Sequence, residues 1–307
     1  MKKFSFLTLI IVSTIILLVG SAYVAVQENI PTFSTTTKTI TAAEITPEYT
    51  VDNINLSSGV VKSTGLKIFY PTAINDPIYF EEKSQQDLFE CAKGILHSNR
   101  FGHVKPEIII DMIELKEGQT IADIGAAYGY DTFPFSQVVG KTGKVYSTDI
   151  NPYVLWYQMQ LRTKMAEKYG EKGYYYDNIS IILNRTYDLT LPNEILDIAF
   201  IKDVHLLFYD PEKKENGLAS EINPDEEEQS RIENAIYEEN KNFVLSVKKA
   251  MKPNATLVVI EGKHGGEIAV TKETFKKLMK KFGFEIVKDY DEVISDYNFY
   301  ILKKCEV

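Results

Sequence analysis

The stretch that decides the fold runs from Thr120 to Asn151 and reads TIADIGAAYGYDTFPFSQVVGKTGKVYSTDIN. It contains an apolar run, a small-residue loop from Gly125 to Gly129, a segment of helical pattern, a turn with glycine, and a second apolar run followed by Asp149. This order is typical of a strand–loop–helix–strand unit in a nucleotide-binding sheet, in which an acidic residue follows the second strand. The stretch therefore predicts an α/β fold with a parallel sheet.

The spacing of the loop and the carboxylate indicates the kind of ligand. Gly125 and Gly129 allow the backbone to turn sharply and to approach a ligand closely, and amides at the start of the following helix are expected to face that ligand. Asp149 lies twenty residues after Gly129, where a carboxylate accepts hydrogen bonds from the two hydroxyls of a ribose. We expect an adenosine derivative, although two glycines in a short loop are also compatible with a plain tight turn.

The order of residues in the loop separates two classes of nucleotide ligand. A dinucleotide loop reads G-x-G-x-x-G, whereas this chain has Asp123-Ile124-Gly125-Ala126-Ala127-Tyr128-Gly129. This run resembles the D/E-x-G-x-G-x-G loop of class I S-adenosylmethionine-dependent methyltransferases, with Ala127 in place of the middle glycine. In that family the acid helps to orient the methionine end of the cofactor, and the loop carries no pyrophosphate. The resemblance implies a set of residues that bind S-adenosylmethionine: Asp123, Gly125, Ala127, Gly129, Asp149 and Ile150.

Two later segments extend the resemblance. In the family an acid after the third strand contacts the adenine amino group, and here Asn184-Arg185 occupy those positions. Asn184 still offers a hydrogen-bond acceptor, which the arginine side chain does not. The segment from Lys202 to Asp210 is loosely similar to the D/N-x-x-H-H-F segment of ubiquinone/menaquinone-biosynthesis-like methyltransferases. It makes Asp203 a candidate on the cofactor or acceptor side and His205 a catalytic candidate, although a single histidine is more often structural.

The rest of the chain continues to alternate between strand and helix patterns. This alternation predicts a Rossmann-like, seven-stranded, mostly parallel sheet with helices on both faces. Two final strands without a helix between them predict a C-terminal antiparallel hairpin, which matches the methyltransferase sheet and differs from an ordinary dehydrogenase. The predicted strands are 121–124, 144–147, 179–183, 197–201, 256–261, 284–288 and 297–302, and 252–255 is predicted as a turn.

The N-terminal part differs in composition from this domain. Two lysines precede an apolar run from Phe4 to Val26, which is long enough to span a membrane because a spanning helix needs about 20 residues. Residues 1–26 are predicted to be an uncleaved signal anchor or a cleaved signal peptide, with the domain outside the cytoplasm, membrane-anchored or exported. Residues 27–79 are predicted to be a polar linker or loosely packed arm, and 80–307 the methyltransferase-like domain.

Composition narrows the range of partners. The chain of 307 residues has a net charge of -9, which argues against a nucleic-acid partner because phosphate binding needs a basic face. Its two cysteines, Cys91 and Cys305, are too few for a cysteine-rich metal site, and no metal is expected.

The resemblance implies a reaction. S-adenosylmethionine would donate a methyl group to an unidentified acceptor, a small molecule or another substrate, and the protein would mainly align donor and acceptor. Two alternatives remain open at this stage. One is a non-catalytic protein that keeps the fold and binds an adenosine ligand, and the other is a nicotinamide-dependent reductase.

Overall fold

The structure is a computed structural model that describes residues 54–74, 86, 87, 90, 104–170, 176–204, 226–262, 272–290 and 297–305. Strands and helices alternate through most of these ranges. The strands are β1 (Ile54–Val60), β2 (Lys67–Ile74), β3 (Thr120–Ile124), β4 (Lys144–Asp149), β5 (Ile179–Leu183), β6 (Leu196–Lys202), β7 (Met251–Gly262), β8 (Phe284–Asp289) and β9 (Tyr297–Lys304). The helices are α1 (Pro106–Ile113), α2 (Thr132–Val139), α3 (Pro152–Tyr169), α4 (Glu226–Ala250) and α5 (Lys272–Lys281).

The central sheet has seven strands in the order β5-β4-β3-β6-β7-β9-β8. The first five of these pair in parallel, and β9 runs antiparallel to both β7 and β8. This confirms the predicted Rossmann-like sheet with its C-terminal hairpin. The chain moves outward from β3 to β5 and then returns to the other side of β3, and ligands of such sheets bind beyond the carboxyl ends of the strands at that reversal.

Helices cover both faces of the sheet, as predicted. Along β6, Ile198 and Phe200 belong to one buried cluster, whereas Ala199 and Ile201 belong to another. The first cluster includes apolar residues of α1, α2 and α3, and the second includes those of α4 and α5. A strand that is buried on both faces needs a continuous apolar run rather than an alternating one, which explains the composition of this strand.

Strand β7 begins earlier than predicted. It starts at Met251 and therefore includes Pro253, in a segment that the sequence predicted to be a turn. Met251 pairs with Leu196, and the register between β6 and β7 then shifts before Ile198 pairs with Thr256. Proline lacks the amide hydrogen that a regular ladder uses, so it is tolerated at such an irregularity.

An N-terminal hairpin corrects the predicted domain boundary. Strands β1 and β2 pair antiparallel, and Ile68 and Tyr70 are buried in the same cluster as α2. Gln137 of α2 accepts a hydrogen bond from the Phe69 amide at 2.9 Å and donates one to its carbonyl at 2.7 Å. Residues 54–74 are thus packed on the domain and are not a linker. Small and polar residues within the strands, together with Pro71, hid this pattern in the sequence.

Residues 1–26, the predicted anchor or signal, lie outside the described residues. Among the helices that the structure does describe, none is long and apolar enough to cross a membrane.

Asp111 of α1 fixes the turn of the hairpin, and its replacement should loosen that turn. Its two carboxylate oxygens accept hydrogen bonds from the amides of Lys62 and Ser63 at 2.8 and 2.9 Å. Burial opposes ionisation, but these hydrogen bonds outweigh it and lower the pKa of Asp111. We expect Asp111→Ala to reduce the free energy of unfolding by about 0.5–1.5 kcal/mol and to speed hydrogen exchange at the Lys62 and Ser63 amides. Unchanged exchange at both amides would contradict this role.

Candidate cofactor site

Four adjacent parallel strands end at one edge of the sheet, where the predicted site residues meet. Ile124 pairs with Thr148 and Ile201, and Asp149 pairs with Leu183. The residues at or just after these strand ends are Gly125, Asp149, Asn184 and Asp203. The structure thus places the candidates from four distant segments along the edge at which ligands of such sheets bind.

The loop after β3 needs glycine at two positions. Gly125 and Gly129 have φ of 74° and 84°, which L-residues rarely adopt. A Cβ atom on Gly125 would lie 2.5 Å from Cγ2 of Val204, and one on Gly129 would lie 2.7 Å from the Phe133 ring. Ala127 has φ of 45°, so the alanine that replaces the middle glycine of the family pattern is held in a strained backbone conformation.

Backbone amides of this loop bond within the protein. Those of Gly125 and Ala126 donate to the Thr148 carbonyl at 2.9 and 3.0 Å, and that of Gly129 donates to the Ala126 carbonyl at 2.8 Å. Ala127 donates to a carboxylate oxygen of Asp149 at 2.9 Å. These amides are not available to cradle a pyrophosphate, which disfavours a dinucleotide ligand.

Asp149 connects the loop to the start of α3. One carboxylate oxygen accepts from Ala127, and the other accepts from the Asn151 amide at 2.9 Å. Burial raises the pKa of Asp149, while the hydrogen bonds from Asn151 and Ala127 act against that rise. Each oxygen keeps acceptor capacity, so the carboxylate can still take the two hydroxyls of a ribose. Ile150 follows it and is 48% exposed, which leaves an apolar surface beside that position.

Asn184 contains a buried acceptor without a donor. Its amide donates to the Asp149 carbonyl at 3.0 Å, and its side-chain nitrogen donates to the Arg185 carbonyl at 2.9 Å. Its Oδ1 is buried and has no hydrogen-bond partner among the described residues. A buried acceptor left unpaired costs about 1–3 kcal/mol, and the amino group of an adenine would supply the missing donor. The site therefore fits the cofactor that the resemblance implies.

The guanidinium group of Arg185 bonds to a neighbouring side chain. Nη1 donates to the Tyr187 hydroxyl at 3.1 Å, and the guanidinium carbon lies 5.8 Å from the centre of that ring. The arginine in the usual position of the family acid thus has its own local partner, and Asn184 remains the acceptor at this strand end.

Asp123 lies beneath the loop rather than on its open side. It is only 4% exposed, and its Oδ2 lies 2.5 Å from Oγ1 of Thr132. Burial is the main cause that raises the pKa of Asp123 to about 7, and the negative charge of Asp131 is the second. A direct contact between Asp123 and the methionine end of the cofactor stays a prediction.

A buried ion pair lies beside the loop and was not predicted from the sequence. Lys202, at the end of β6, donates to Oδ2 of Asp131 at the start of α2, and both side chains are 6% exposed. The ammonium group lies 4.7 Å from the centre of the Tyr130 ring. Burial raises the pKa of Asp131, and Lys202 acts against that rise. A lysine directly after the apolar run from Ile198 to Ile201 was the available signal, because a buried charge requires a partner.

Asp203 follows this lysine in a strained conformation. Its φ is 53°, its amide donates to the Ile260 carbonyl at 2.9 Å, and its charge contributes to the raised pKa of Asp131. Strain of this kind in a non-glycine residue is common at functional sites. His205, the other candidate of this segment, lies outside the described residues.

Comparison with known proteins gives matches of fold but not of sequence. No family model matches the chain, and no curated protein matches it. A crystal structure of an S-adenosylmethionine-dependent methyltransferase from Aquifex aeolicus matches with a TM-score of 0.51 and 18% identity, over 70% of this chain and 97% of that one.

Two further solved structures match with lower TM-scores. A TehB-like methyltransferase from Corynebacterium glutamicum gives a TM-score of 0.46 and 10% identity, over 71% of this chain and 99% of that one. A Burkholderia thailandensis 1,6-didemethyltoxoflavin-N1-methyltransferase with bound S-adenosylhomocysteine gives a TM-score of 0.46 and 11% identity, over 81% of this chain and 99% of that one. The match to the Aquifex protein supports the predicted Rossmann-like fold of this chain. The ubiquinone/menaquinone-biosynthesis-like subtype stays a prediction.

Proposed function

We propose that this protein transfers a methyl group from S-adenosylmethionine to an acceptor. The observation that supports this most directly is the arrangement of Asp149 and Asn184. The Asn184 amide bonds to the Asp149 carbonyl at 3.0 Å, so adjacent strands hold a carboxylate suited to a ribose beside a buried, unpaired acceptor suited to an adenine amino group. Both groups lie next to the small-residue loop from Gly125 to Gly129, which can admit the methionine end of S-adenosylmethionine.

Methyl transfer from S-adenosylmethionine requires the protein mainly to bind the cofactor and to align it with the acceptor. The sulfonium of S-adenosylmethionine supplies an already activated methyl group. Asp149 and Asn184 would orient the adenosine half, while Gly125 allows close approach along the loop. The strand end at Asp203 would then lie near the acceptor, where a protein accelerates transfer mainly by orientation and exclusion of water.

The rival functions are separated by two features of the loop. A nicotinamide-dependent reductase needs backbone amides for a pyrophosphate, and the amides of Gly125, Ala126 and Ala127 are already bonded within the protein. A non-catalytic protein that binds an adenosine ligand is favoured by Ala127, whose methyl group stands where the family has glycine. Transfer of a labelled methyl group from S-adenosylmethionine to an added acceptor would show that the protein is an enzyme and not such a binding protein.

We propose further that the acceptor is a small molecule or another non-nucleic-acid substrate, and that residues 1–26 anchor or export the domain. The net charge of -9 and the apolar run from Phe4 to Val26 support these two points. Extraction of membranes with alkaline carbonate tests the second. An anchored chain stays with the lipid, whereas a soluble product that begins near Tyr23 indicates a cleaved signal.

Recognition of adenine through Asn184 gives a direct test of the cofactor assignment. The full-length protein should bind S-adenosylhomocysteine about tenfold more tightly than S-inosylhomocysteine, which has a carbonyl oxygen in place of the amino group, because one hydrogen bond to a buried acceptor is worth about 1 kcal/mol or more. Asn184→Leu should remove most of this preference when both ligands are titrated by calorimetry.

The neighbouring arginine provides the control. Arg185→Ala removes a side chain that bonds to Tyr187 and should keep the preference for the amino group. Equal affinity of the unaltered protein for the two ligands would place the adenine elsewhere.

A further inference from the structure

A chain of buried polar groups runs beneath the loop from Asp123 to Ala127. Oγ1 of Thr132 lies 2.5 Å from Oδ2 of Asp123 and 3.2 Å from Oγ of Ser147. That serine oxygen lies 2.7 Å from Oε1 of Gln158, whose Nε2 lies 3.3 Å from the Ala127 carbonyl oxygen. These four residues are at most 4% exposed, so their side chains depend on one another for hydrogen bonds.

The end of this chain at Ala127 fixes the direction of every bond. A carbonyl oxygen only accepts, so Gln158 must present its nitrogen to Ala127 and its oxygen to Ser147. Ser147 must then donate its single hydroxyl hydrogen to Gln158 and can only accept from Thr132. Thr132 in turn uses its single hydrogen on Ser147 and can only accept from Asp123. All four contacts are therefore hydrogen bonds only when Asp123 carries a proton.

An ionised Asp123 breaks this pattern. Its carboxylate has no hydrogen to give, so Thr132 would turn its hydroxyl hydrogen toward Asp123. The contact between Thr132 and Ser147 would then lack a hydrogen, unless Ser147 turned away from Gln158. In the first case Ser147 loses the donor that fixes its hydroxyl, and in the second Gln158 loses the donor that fixes its amide. Either loss leaves the side chain that bonds to the Ala127 carbonyl less firmly positioned.

The surroundings of Asp123 favour the protonated form. Burial is the largest cause that raises its pKa, the negative charge of Asp131 at the start of α2 is the second, and Asp149 on β4 adds a smaller rise. The Thr132 hydroxyl and Lys202 on β6 lower the pKa. The result is a pKa of about 7. The proton is thus present in slightly acidic solution and is lost as the pH rises above neutrality.

We propose that Asp123 is a positioning residue that acts as a protonated acid, through Thr132, Ser147 and Gln158, to hold the strained Ala127 backbone in its ligand-binding conformation. This inference deepens the proposed function and rests on it. It differs from a direct contact between an Asp123 carboxylate and the cofactor. Ala127 has φ of 45°, a conformation that an alanine adopts only when its surroundings hold it there.

The pH dependence of ligand binding tests the proposal in the full-length protein. The affinity for S-adenosylhomocysteine, measured by calorimetry, should be constant below about pH 6 and fall about threefold to tenfold by about pH 8.5, as one hydrogen bond is lost. Asp123→Asn should remove this fall and keep the affinity of the acidic range, because the amide nitrogen donates to Thr132 at every pH. Asp197→Asn exchanges a carboxylate that bonds the Thr120 amide at the opposite edge of the sheet and should keep the fall.

Two results would overturn the proposal. Weak binding by folded Asp123→Asn over the whole pH range would show that the anion is needed, which is the direct-contact alternative. If the affinity of Thr132→Val for S-adenosylhomocysteine depended on pH as that of the unaltered protein does, the hydrogen bonds through Thr132 would not cause the pH dependence. We expect this variant to bind more weakly at acidic pH and to lose the pH dependence, whereas Thr132→Ser should keep both the affinity and the fall.

An infrared measurement separates this proposal from the proposed function. The difference spectrum of the unaltered protein between about pH 5.5 and about pH 8.5 should contain the band of a buried protonated carboxyl group that ionises near neutrality, and Thr132→Val should shift it. If the protein binds no S-adenosylhomocysteine at any pH, the proposed function fails, yet the band still reports the proton. Absence of the band contradicts the proposal whatever the ligand.

Discussion

Replacement of Lys202 by methionine should lower the free energy of unfolding by about 3–5 kcal/mol, because it leaves a buried carboxylate without its charge partner. Lys202 and Asp131 are both 6% exposed in their side chains, and Oδ1 of Asp131 already has no hydrogen-bond partner among the described residues. Methionine keeps the apolar stem of the lysine as far as Cε, so the loss reports mainly the charge rather than a cavity. Urea denaturation followed by circular dichroism near pH 7.5 measures it.

Two further variants make this result specific. The double variant Lys202→Met/Asp131→Leu should recover most of the loss, since a buried ion pair and an apolar pair of similar volume are often close in stability. Lys241→Met removes an ion pair with Glu238 on the surface, where both side chains are more than a third exposed, and should cost at most about 1 kcal/mol. If Lys202→Met costs no more than Lys241→Met, the pair is not a buried one in solution.

Replacement of Asp149 by alanine should weaken binding of S-adenosylhomocysteine by at least about 100-fold. Two hydrogen bonds between a carboxylate and ribose hydroxyls are worth about 1.5–3 kcal/mol each. The variant also removes the acceptors for the Ala127 and Asn151 amides, so the loop and the start of α3 lose a common anchor. Calorimetry on the full-length protein measures the change.

A matched carboxylate serves as the control for Asp149. Asp188 also accepts a hydrogen bond from a backbone amide, that of Thr190 at 2.9 Å, but it follows β5 and no role in binding is assigned to it. Asp188→Ala should leave the affinity within about threefold of the unaltered protein, since its loss removes only a local bond. Equal effects of Asp149→Ala and Asp188→Ala would place the ribose elsewhere.

The sequence was sufficient for the features that depend on neighbouring residues. The loop between Gly125 and Gly129 is set by local backbone conformation, and the buried strands by apolar runs that persist on both faces of the sheet. The positions of Asp149, Asn184 and Asp203 at one edge then follow from the parallel pairing of successive strands. For this reason the fold and the place of the site could be predicted together.

The features that depend on distant partners could not be predicted in this way. The hairpin is held by a pair of hydrogen bonds between Phe69 and Gln137, and the buried ion pair joins Lys202 to Asp131; these partners are 68 and 71 residues apart. The direction of the hydrogen bonds that link Asp123 to Ala127 beneath the loop depends on distances between side chains. A sequence pattern names Asp123 as an important acid, but only the contact with Thr132 indicates that the acid acts with its proton in place.

The edge of the sheet at Asp149 and Asn184 is proposed to bind an S-adenosyl ligand. Calorimetric titration of the folded full-length protein with S-adenosylhomocysteine and, separately, with NADH decides whether this site binds such a ligand. We expect saturable, one-to-one heat with S-adenosylhomocysteine and none with NADH, because the loop amides that a pyrophosphate needs are bonded within the protein. Binding of NADH with comparable affinity, or no heat with S-adenosylhomocysteine at millimolar concentration, would contradict it.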